Sequence, residues 1–198
     1  MAKHPSLFPE PSPVPDIPGL QYIDEYITPD QERRLITAID RREWLTHLKR
    51  RVQHYGYTYE YKGSGKTLTA APPLPRWAHG LIEKLLRDEL TDEKPNQLII
   101  NEYEPGQGIS PHIDDQTLFG DVVISISLLS ACLMDFTRSA RKKLSLLLEP
   151  RSAVVLSGDS RHKWEHSIAP RKMDIIEGER MKRGRRISLT FRTVKFEE

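Results

Sequence analysis

The chain has 198 residues, enough for one domain with a full core and too few for two. Its 37% hydrophobic and 29% charged residues exclude a disordered, collagen-like or membrane-embedded chain. A net charge of +2, with basic residues clustered at 49–51, 141–143, 161–163 and 180–186, is compatible with a nucleic-acid partner without demanding one.

The amino terminus, MAKHPSLFPEPSPVPDIPGL, has neither the apolar run nor the cleavage site of a secretory leader. Pro5, Pro9, Pro11, Pro13, Pro15 and Pro18 make residues 1–18 an extended arm, and the single domain is expected over 19–198. TPDQERRLITAIDRREWLTHL (28–48) predicts a helix, with a Thr cap, Pro at the first helical position and Leu35, Ile36, Ile39 and Leu45 near helical period. RVQHYGYTYEYKGSGKT (51–67) alternates as a strand does and runs into a Gly-Ser-Gly turn. PRWAHGLIEKLLRDEL (75–90) predicts a second helix with one apolar stripe, Trp77, Leu81, Ile82, Leu85 and Leu86.

After Pro95 the pattern is β throughout. QLIINEY, DVVISISLL, ACLMDFT, KLSLLLE, SAVVLSG and RRISLTFRTV are short alternating runs split by turn residues, as in a sandwich, barrel or jelly roll. The expected class is α+β, with N-terminal helices flanking a β core over about 95–195. The longest apolar run, 122–134, holds three serines and is too short for a bilayer, so no membrane partner is expected. The single cysteine, Cys132, cannot form an internal disulfide, which fits a reducing, cytoplasmic setting.

The chemistry concentrates in NEYEPGQGISPHID (101–114). In extended backbone His112 and Asp114 leave on one face and can approach one cation together. A catalytic metal needs a third donor, and His162 and His166 are the downstream candidates. Two histidines and a carboxylate on one side of a metal, with the other positions open, suit a non-haem Fe(II) centre that binds oxygen. Asn101 and Tyr103 share a strand face. RRISLTFR places Arg186, Ser188, Thr190 and Arg192 opposite Ile187, Leu189 and Phe191. Arginines on a half-apolar strand require an anion or solvent. Roughly 20 Å separates the two, so they reach one small dianion only from its opposite ends. A dicarboxylate such as 2-oxoglutarate meets that requirement, with Arg186 the better candidate for its far carboxylate. A rival reading takes HKWEH (162–166) as the H-x-x-E-H zinc-peptidase motif. It needs a helix, and the Gly, Ser and Pro around it supply no amphipathic run.

N-x-Y, H-x-D, the distal His166 and R-x-S-x-T-F-R, in that order, resemble the AlkB family of Fe(II)/2-oxoglutarate dioxygenases from about Gly19 to Val194. The wording RVQHYGY, NEYEPGQGI and MDF is most similar to the branch that hydroxylates tRNA wobble uridine. The resemblance implies a double-stranded β-helix, or jelly roll, and a requirement for Fe(II), 2-oxoglutarate and O2. It implies that His112, Asp114 and His166 ligate iron and that Tyr103 and Arg186 hold the far carboxylate. Asn101, Thr190 and Arg192 would line the rest of the cosubstrate pocket. Four residues after His112, where the family prototype has an acidic base-contacting residue, this chain has Gln116. Within these 198 residues no segment is expected to form an RNA-recognition or methyltransferase domain of the kind found in eukaryotic wobble enzymes. Both departures bear on the substrate rather than the chemistry.

For the substrate, Tyr55, Tyr57, Tyr59 and Tyr61 alternate just after Lys49, Arg50 and Arg51, equipment for stacking an unpaired base. Arg51 and Tyr57 are the preferred contacts, with Gln116 and Arg161 as further candidates. Residues 169–184 read as a solvated insertion, whose Arg171 and Lys172 stand near the site. The expected function is hydroxylation or oxidative demethylation of a nucleobase, in tRNA-like RNA or alkylated DNA, by a monomer acting on a single-stranded or flipped base. The alternatives are the same oxidation of a protein or small molecule, and a non-catalytic jelly-roll binding module.

Overall fold

The computed structural model describes residues 14–46, 49–62, 65–139 and 142–196; the side chains of 59–67, 139 and 142 lie outside that description, as does the arm over 1–13. The end of the Pro-rich stretch packs on the body: Ile17 is buried, and Pro18 accepts a backbone hydrogen bond from Ser160 at 3.0 Å. β1 (Leu20–Ile23), unpredicted because it is only four residues long, follows directly. Thr28 caps α1 (Pro29–Asp40) by accepting from the Gln31 N–H, and the Thr28 N–H donates in turn to Gln31 Oε1, closing a capping box. The helix stops short of the predicted run. Leu45 lies beyond it, half exposed, because its backbone N–H and C=O are both taken by Val52.

β2 (Val52–Tyr55), β3 (Tyr57–Lys62) and β4 (Gly65–Ala70) divide the tyrosine-rich stretch between two sheets. The break is at Gly56, whose φ of +78° and close approach to the Asn96 carbonyl admit no side chain. The expected single ladder of four tyrosines therefore does not form. Tyr55 is buried in the helix-side core, Tyr57 begins the β3–β4 hairpin, and the Tyr59 and Tyr61 side chains fall outside the described set. α2 (Arg76–Arg87) forms as predicted.

From there the chain runs through β5 (Gln97–Tyr103), β6 (Ile109–His112), β7 (Phe119–Leu129), β8 (Cys132–Ser139), β9 (Lys142–Leu148), β10 (Ala153–Leu156), α3 (Gly158–His162), β11 (Glu165–Ile168), β12 (Met173–Ile176), β13 (Glu179–Lys182) and β14 (Arg186–Val194). An antiparallel sheet of order β1-β10-β7-β14-β5-β2 faces one of order β6-β11-β8-β9, which is the expected jelly roll. Side-chain alternation sorts the large sheet. Ile100, Ile126, Leu189 and their neighbours pack under α1 and α2, against Leu35, Ile39, Ile82 and Leu85. The other face looks across at the small sheet and carries the polar residues of the site. No helix of the described residues is long and apolar enough to cross a membrane.

Residues 169–184 are largely exposed, as expected of a solvated insertion, but they also form the β12–β13 hairpin. The pairing was hidden because the charges are mixed, yet Asp174 is fully buried. Its carboxylate accepts from Arg183 (2.6 and 2.7 Å), Arg171 (2.7 Å) and the Leu133 N–H (3.2 Å), clamping the hairpin to β8. Burial pushes this carboxyl up, but those donors outweigh it and hold it below the usual carboxylate range. Replacing Asp174 by Ala leaves Arg183 buried without its anion and is expected to cost about 3–5 kcal/mol, read as a shift in the urea midpoint at unchanged slope.

Candidate active site

β6 and β11 are neighbours in the small sheet, and their register sets His112 opposite His166. The two imidazole centroids lie 4.3 Å apart, and His166 Nε2 is 3.8 Å from Asp114 Oδ2. One donor atom from each of His112, Asp114 and His166 falls within 4.8 Å of the others, so a single cation can be shared. His162 ends α3 and its ring faces Gln116 and Asp121, away from that cluster. The strand carrying His166 removes the helix that an H-x-x-E-H site requires.

The electrostatics prepare these groups for a metal. Burial presses the Asp114 carboxyl upward, but Arg192, then His166, His112 and Arg161, outweigh it and keep it below its ordinary range. Burial pushes His166 down to about 4, against the pull of Asp114, so its imidazole is neutral at pH 7. His112 Nδ1 lies 2.9 Å from the Ser110 carbonyl, which can only accept; the proton therefore sits on Nδ1 and the Nε2 lone pair is free.

Arg192 and Arg186 line the cavity and Arg161 backs the Asp114 segment, and each does something different. Arg192 donates to Asp114 Oδ1 (2.5 Å) and Gln97 Oε1 (2.7 Å) and lies 4.0 Å over the Phe119 ring. Arg186 donates to Ser127 Oγ at 2.9 Å and lies 5.5 Å over the Tyr103 ring, while its Nε and Nη1 are buried without a partner. An orphaned buried guanidinium is costly and calls for an anion. Arg161, expected to face the substrate, is instead 2% exposed, donating to the carbonyls of Asp114 (2.7 Å), Asp115 (3.2 Å) and Gly120 (3.2 Å). The last turn of α3 directs its side chain inward, where it fixes the segment that carries Asp114.

Asn101, Tyr103, Arg186, Thr190 and Arg192 all line one cavity of about 510 Å³ with the His–Asp–His group at its foot. Ser125 and Thr190 hydroxyls meet at 2.9 Å on its wall. Gln116 stands exposed on the cavity, its amide paired with the His162 carbonyl and ring. Arg51 does not line it: its guanidinium is paired with buried Glu102 and stacked 5.1 Å over Trp44. Tyr57 is also outside, meeting Phe196 edge-on at 5.3 Å. Of the basic residues 49–51, Arg50 is the one that lines the cavity; its Nε donates to Asn101 Oδ1 at 2.8 Å and its guanidinium lies 5.9 Å over Tyr103. Pairing of Val52 with Asn101 puts residue 50 level with Tyr103. That register is invisible until β2 and β5 are known to be neighbours. Gln97 and Ser127 were missed for the same reason, whereas Arg171 is spent on Asp174.

Two expectations follow. Replacing Arg192 by Ala should weaken Mn(II) binding by about 10–100-fold, measured by titration calorimetry, because Asp114 loses the partner that orients it. The second concerns pH. The unfolded chain protonates His166 near 6.5 and the folded one only near 4, so its contribution is complete above 6.5 and lost as pH falls toward 4. The metal-free wild type should lose about 2 kcal/mol more than His166→Gln between pH 7.5 and 5, in paired urea titrations.

The comparisons with known proteins agree with this geometry. A family model described as the 2OG-Fe(II) oxygenase superfamily matches residues 20–192. An uncharacterized protein, L905, of Acanthamoeba polyphaga mimivirus is 37% identical, over 89% of this chain and 85% of its own length. The Mus musculus tRNA (carboxymethyluridine(34)-5-O)-methyltransferase ALKBH8 is 36% identical over 90% of this chain, which spans only 31% of that protein. Among solved structures, OsALKBH1 superposes with a TM-score of 0.69 at 15% identity, covering 89% of this chain and 97% of that one, and so supports the fold. Residues matched along nearly the whole body, and the donor set they bring together, place the chain in the 2OG-Fe(II) oxygenase superfamily, within its AlkB-like group, as an Fe(II)/2-oxoglutarate-dependent dioxygenase.

Proposed function

We propose that this enzyme oxidises a nucleobase in single-stranded, tRNA-like RNA, with His112, Asp114 and His166 holding the iron. The observation that carries the chemistry is the pairing of that donor set with Arg186, which lines the same cavity and whose Nε and Nη1 find no hydrogen-bond partner among the described residues. Two imidazoles and a carboxylate are the donor chemistry Fe(II) takes. The far carboxylate of 2-oxoglutarate supplies the anion that Arg186 lacks, with Tyr103 beside it. When bound, iron and 2-oxoglutarate would supply oxidation by O2, one oxygen atom ending in succinate as CO2 is lost and the other in a substrate C–H bond that becomes C–OH.

The chain's own part is to position and to exclude. Arg192 and Arg161 hold Asp114 by side chain and by backbone, and the Ser110 carbonyl sets the His112 tautomer. Arg50 fixes Asn101, on the cosubstrate wall, by a hydrogen bond. Gln116 offers the mouth of the cavity an uncharged amide that both donates and accepts, suited to the edge of a uracil-type base. Hydroxylation of an N-methyl carbon would release formaldehyde and leave the bare base; hydroxylation of a stable side group would leave the hydroxyl in place. The tRNA reading draws on the 36% identity to the mouse tRNA enzyme. An Arabidopsis thaliana protein named an alkylated DNA repair protein ALKBH8 homolog is 34% identical over 91% of this chain and 59% of its own length, and it makes alkylated oligonucleotides the second substrate to try.

The test is incubation of the Fe(II)-loaded enzyme with 2-oxoglutarate and either bulk tRNA or methylated oligonucleotides, followed by mass spectrometry of the nucleosides. A gain of one oxygen or the loss of a methyl group on a base is expected, with matching succinate. Succinate formed only with peptides or small molecules would overturn the nucleic-acid reading. Arg186→Ala should raise the KM for 2-oxoglutarate by about 10–100-fold, as loss of hydrogen bonds to a charged group predicts.

A further inference from the structure

The β8 segment Met134-Asp135-Phe136 is only partly used by the site. Alternation turns Met134 toward the catalytic cavity and Phe136 into the core between the sheets. Asp135 is thereby sent to the outer face of the small sheet, where a carboxylate ordinarily stands in solvent. Here it is 3% exposed. It forms part of the wall of a second cavity, of about 500 Å³, within the ~300–1,000 Å³ range of ligand clefts. Ser145 donates to Asp135 Oδ1 at 2.6 Å, Lys143 reaches Oδ2 at 2.9 Å, and Ser167 is its register partner on β11.

The rest of this cavity is built from Lys49, Arg50 and the 106–108 loop. The loop lies flat on β11 because Gly108 has no side chain; a Cβ there would stand 2.1 Å from the Ile168 carbonyl oxygen. Gln107 donates to the Lys49 carbonyl at 2.7 Å and accepts from the Glu104 N–H at 2.9 Å, tying the basic segment to the loop. Arg50, Ile109 and Ile168 line both cavities, and Ser110 and Pro111 lead from the second directly to His112. The two spaces are neighbours, separated by one wall.

The chemistry of the second space is specific. Three cations, Lys49, Arg50 and Lys143, line this space together with one buried carboxylate, which Lys143 pairs directly. The cations suit a phosphodiester. The carboxylate cannot take phosphate but accepts from a hydroxyl, and an RNA backbone carries the 2′-hydroxyl that DNA lacks. A cross-strand ion pair alone would account for Lys143, but not for Lys49 and Arg50 held around the same groove. We propose that the second cavity receives the nucleotide flanking the target base in single-stranded RNA, with Lys49 and Lys143 on its phosphate and Asp135 accepting from its 2′-hydroxyl. This assignment rests on the nucleic-acid reading above and sharpens it to RNA.

The test uses the full chain loaded with Mn(II) and 2-oxoglutarate, and a fluorescent single-stranded oligoribonucleotide with or without one 2′-deoxy sugar beside the target position. Lys49→Glu, on an exposed side chain, should weaken RNA binding about tenfold or more and lower the salt slope by about 1, with Mn(II) and 2-oxoglutarate binding unchanged. A single flanking 2′-deoxy sugar should weaken wild-type binding about tenfold, and Asp135→Ala should abolish that preference. If Asp135→Ala does not fold, Lys49→Glu and the deoxy substitution still decide the matter on intact protein. Wild type that binds RNA equally well with the deoxy sugar and with Lys49→Glu overturns the flanking subsite and leaves the substrate class standing. Wild type that binds no RNA overturns both.

Discussion

The ion pair between Arg192 and Asp114 joins the large sheet to the metal donors, and the rest of the site is arranged around it. Asp114 stands outside any strand, in the loop between β6 and β7, with a side chain only 10% exposed. A carboxylate in that position would tend to protonate and lose its use as a ligand. Arg192 prevents this because it stands on β14, which is hydrogen-bonded on both sides, to β5 and to β7. Gln97 from β5 and Phe119 from β7 then leave its guanidinium one direction to point. Arg161 holds the same loop from below through three carbonyls. The carboxylate is thus kept ionised and aimed before any metal arrives, and His166 is kept neutral by the same burial.

The cost of this arrangement is a polar layer inside a β sandwich. The chain offsets it by strict separation of faces. On β14, Ile187, Leu189 and Phe191 are buried under the helices, while Arg186, Ser188, Thr190 and Arg192 face the cavity. The hydroxyls of Ser125, Ser127 and Thr190 bond to one another or to Arg186, so most of the layer is satisfied without cosubstrate. The exception is Arg186, and the unpaired donors there are what a dianion would complete. On the opposite, helix-side face, Glu102 is buried between Arg51 and Arg185, and Arg185 also reaches Asp40 at the end of α1. Burial presses Glu102 upward, but the two arginines prevail and keep it ionised, so the helix layer is tied to the sheet by charge as well as by apolar packing.

Arg50 gives the two cavities a common wall. It precedes β2, an edge strand, and is level with Tyr103 and Arg186 across three neighbouring strands. Its hydrogen bond to Asn101 turns it toward the cavity of the His–Asp–His group, while Lys49 immediately before it lines the outer groove. Two successive residues on opposite sides of an extended segment therefore look toward different spaces. The outer groove and the cavity of the His–Asp–His group share this one short stretch of backbone, held by Gln107.

Much of this was written locally. The α1 cap, the α2 stripe, the strand runs after Pro95, and the motifs around Asn101, His112, His166 and Arg186 depend on residues a few positions apart, and period and turn chemistry reveal such features directly. Their order sufficed for the family and the chemistry. What local pattern could not carry was pairing between distant strands. Only the tertiary structure splits the tyrosines at Gly56, turns Arg161 inward and hides Asp174 beneath its hairpin. It alone exchanges Arg51 for Arg50 at the cavity and lifts Asp135 out of solvent. The reason is that alternation says which residues share a face, whereas which face is covered, and by what, is decided by neighbours far away in the chain.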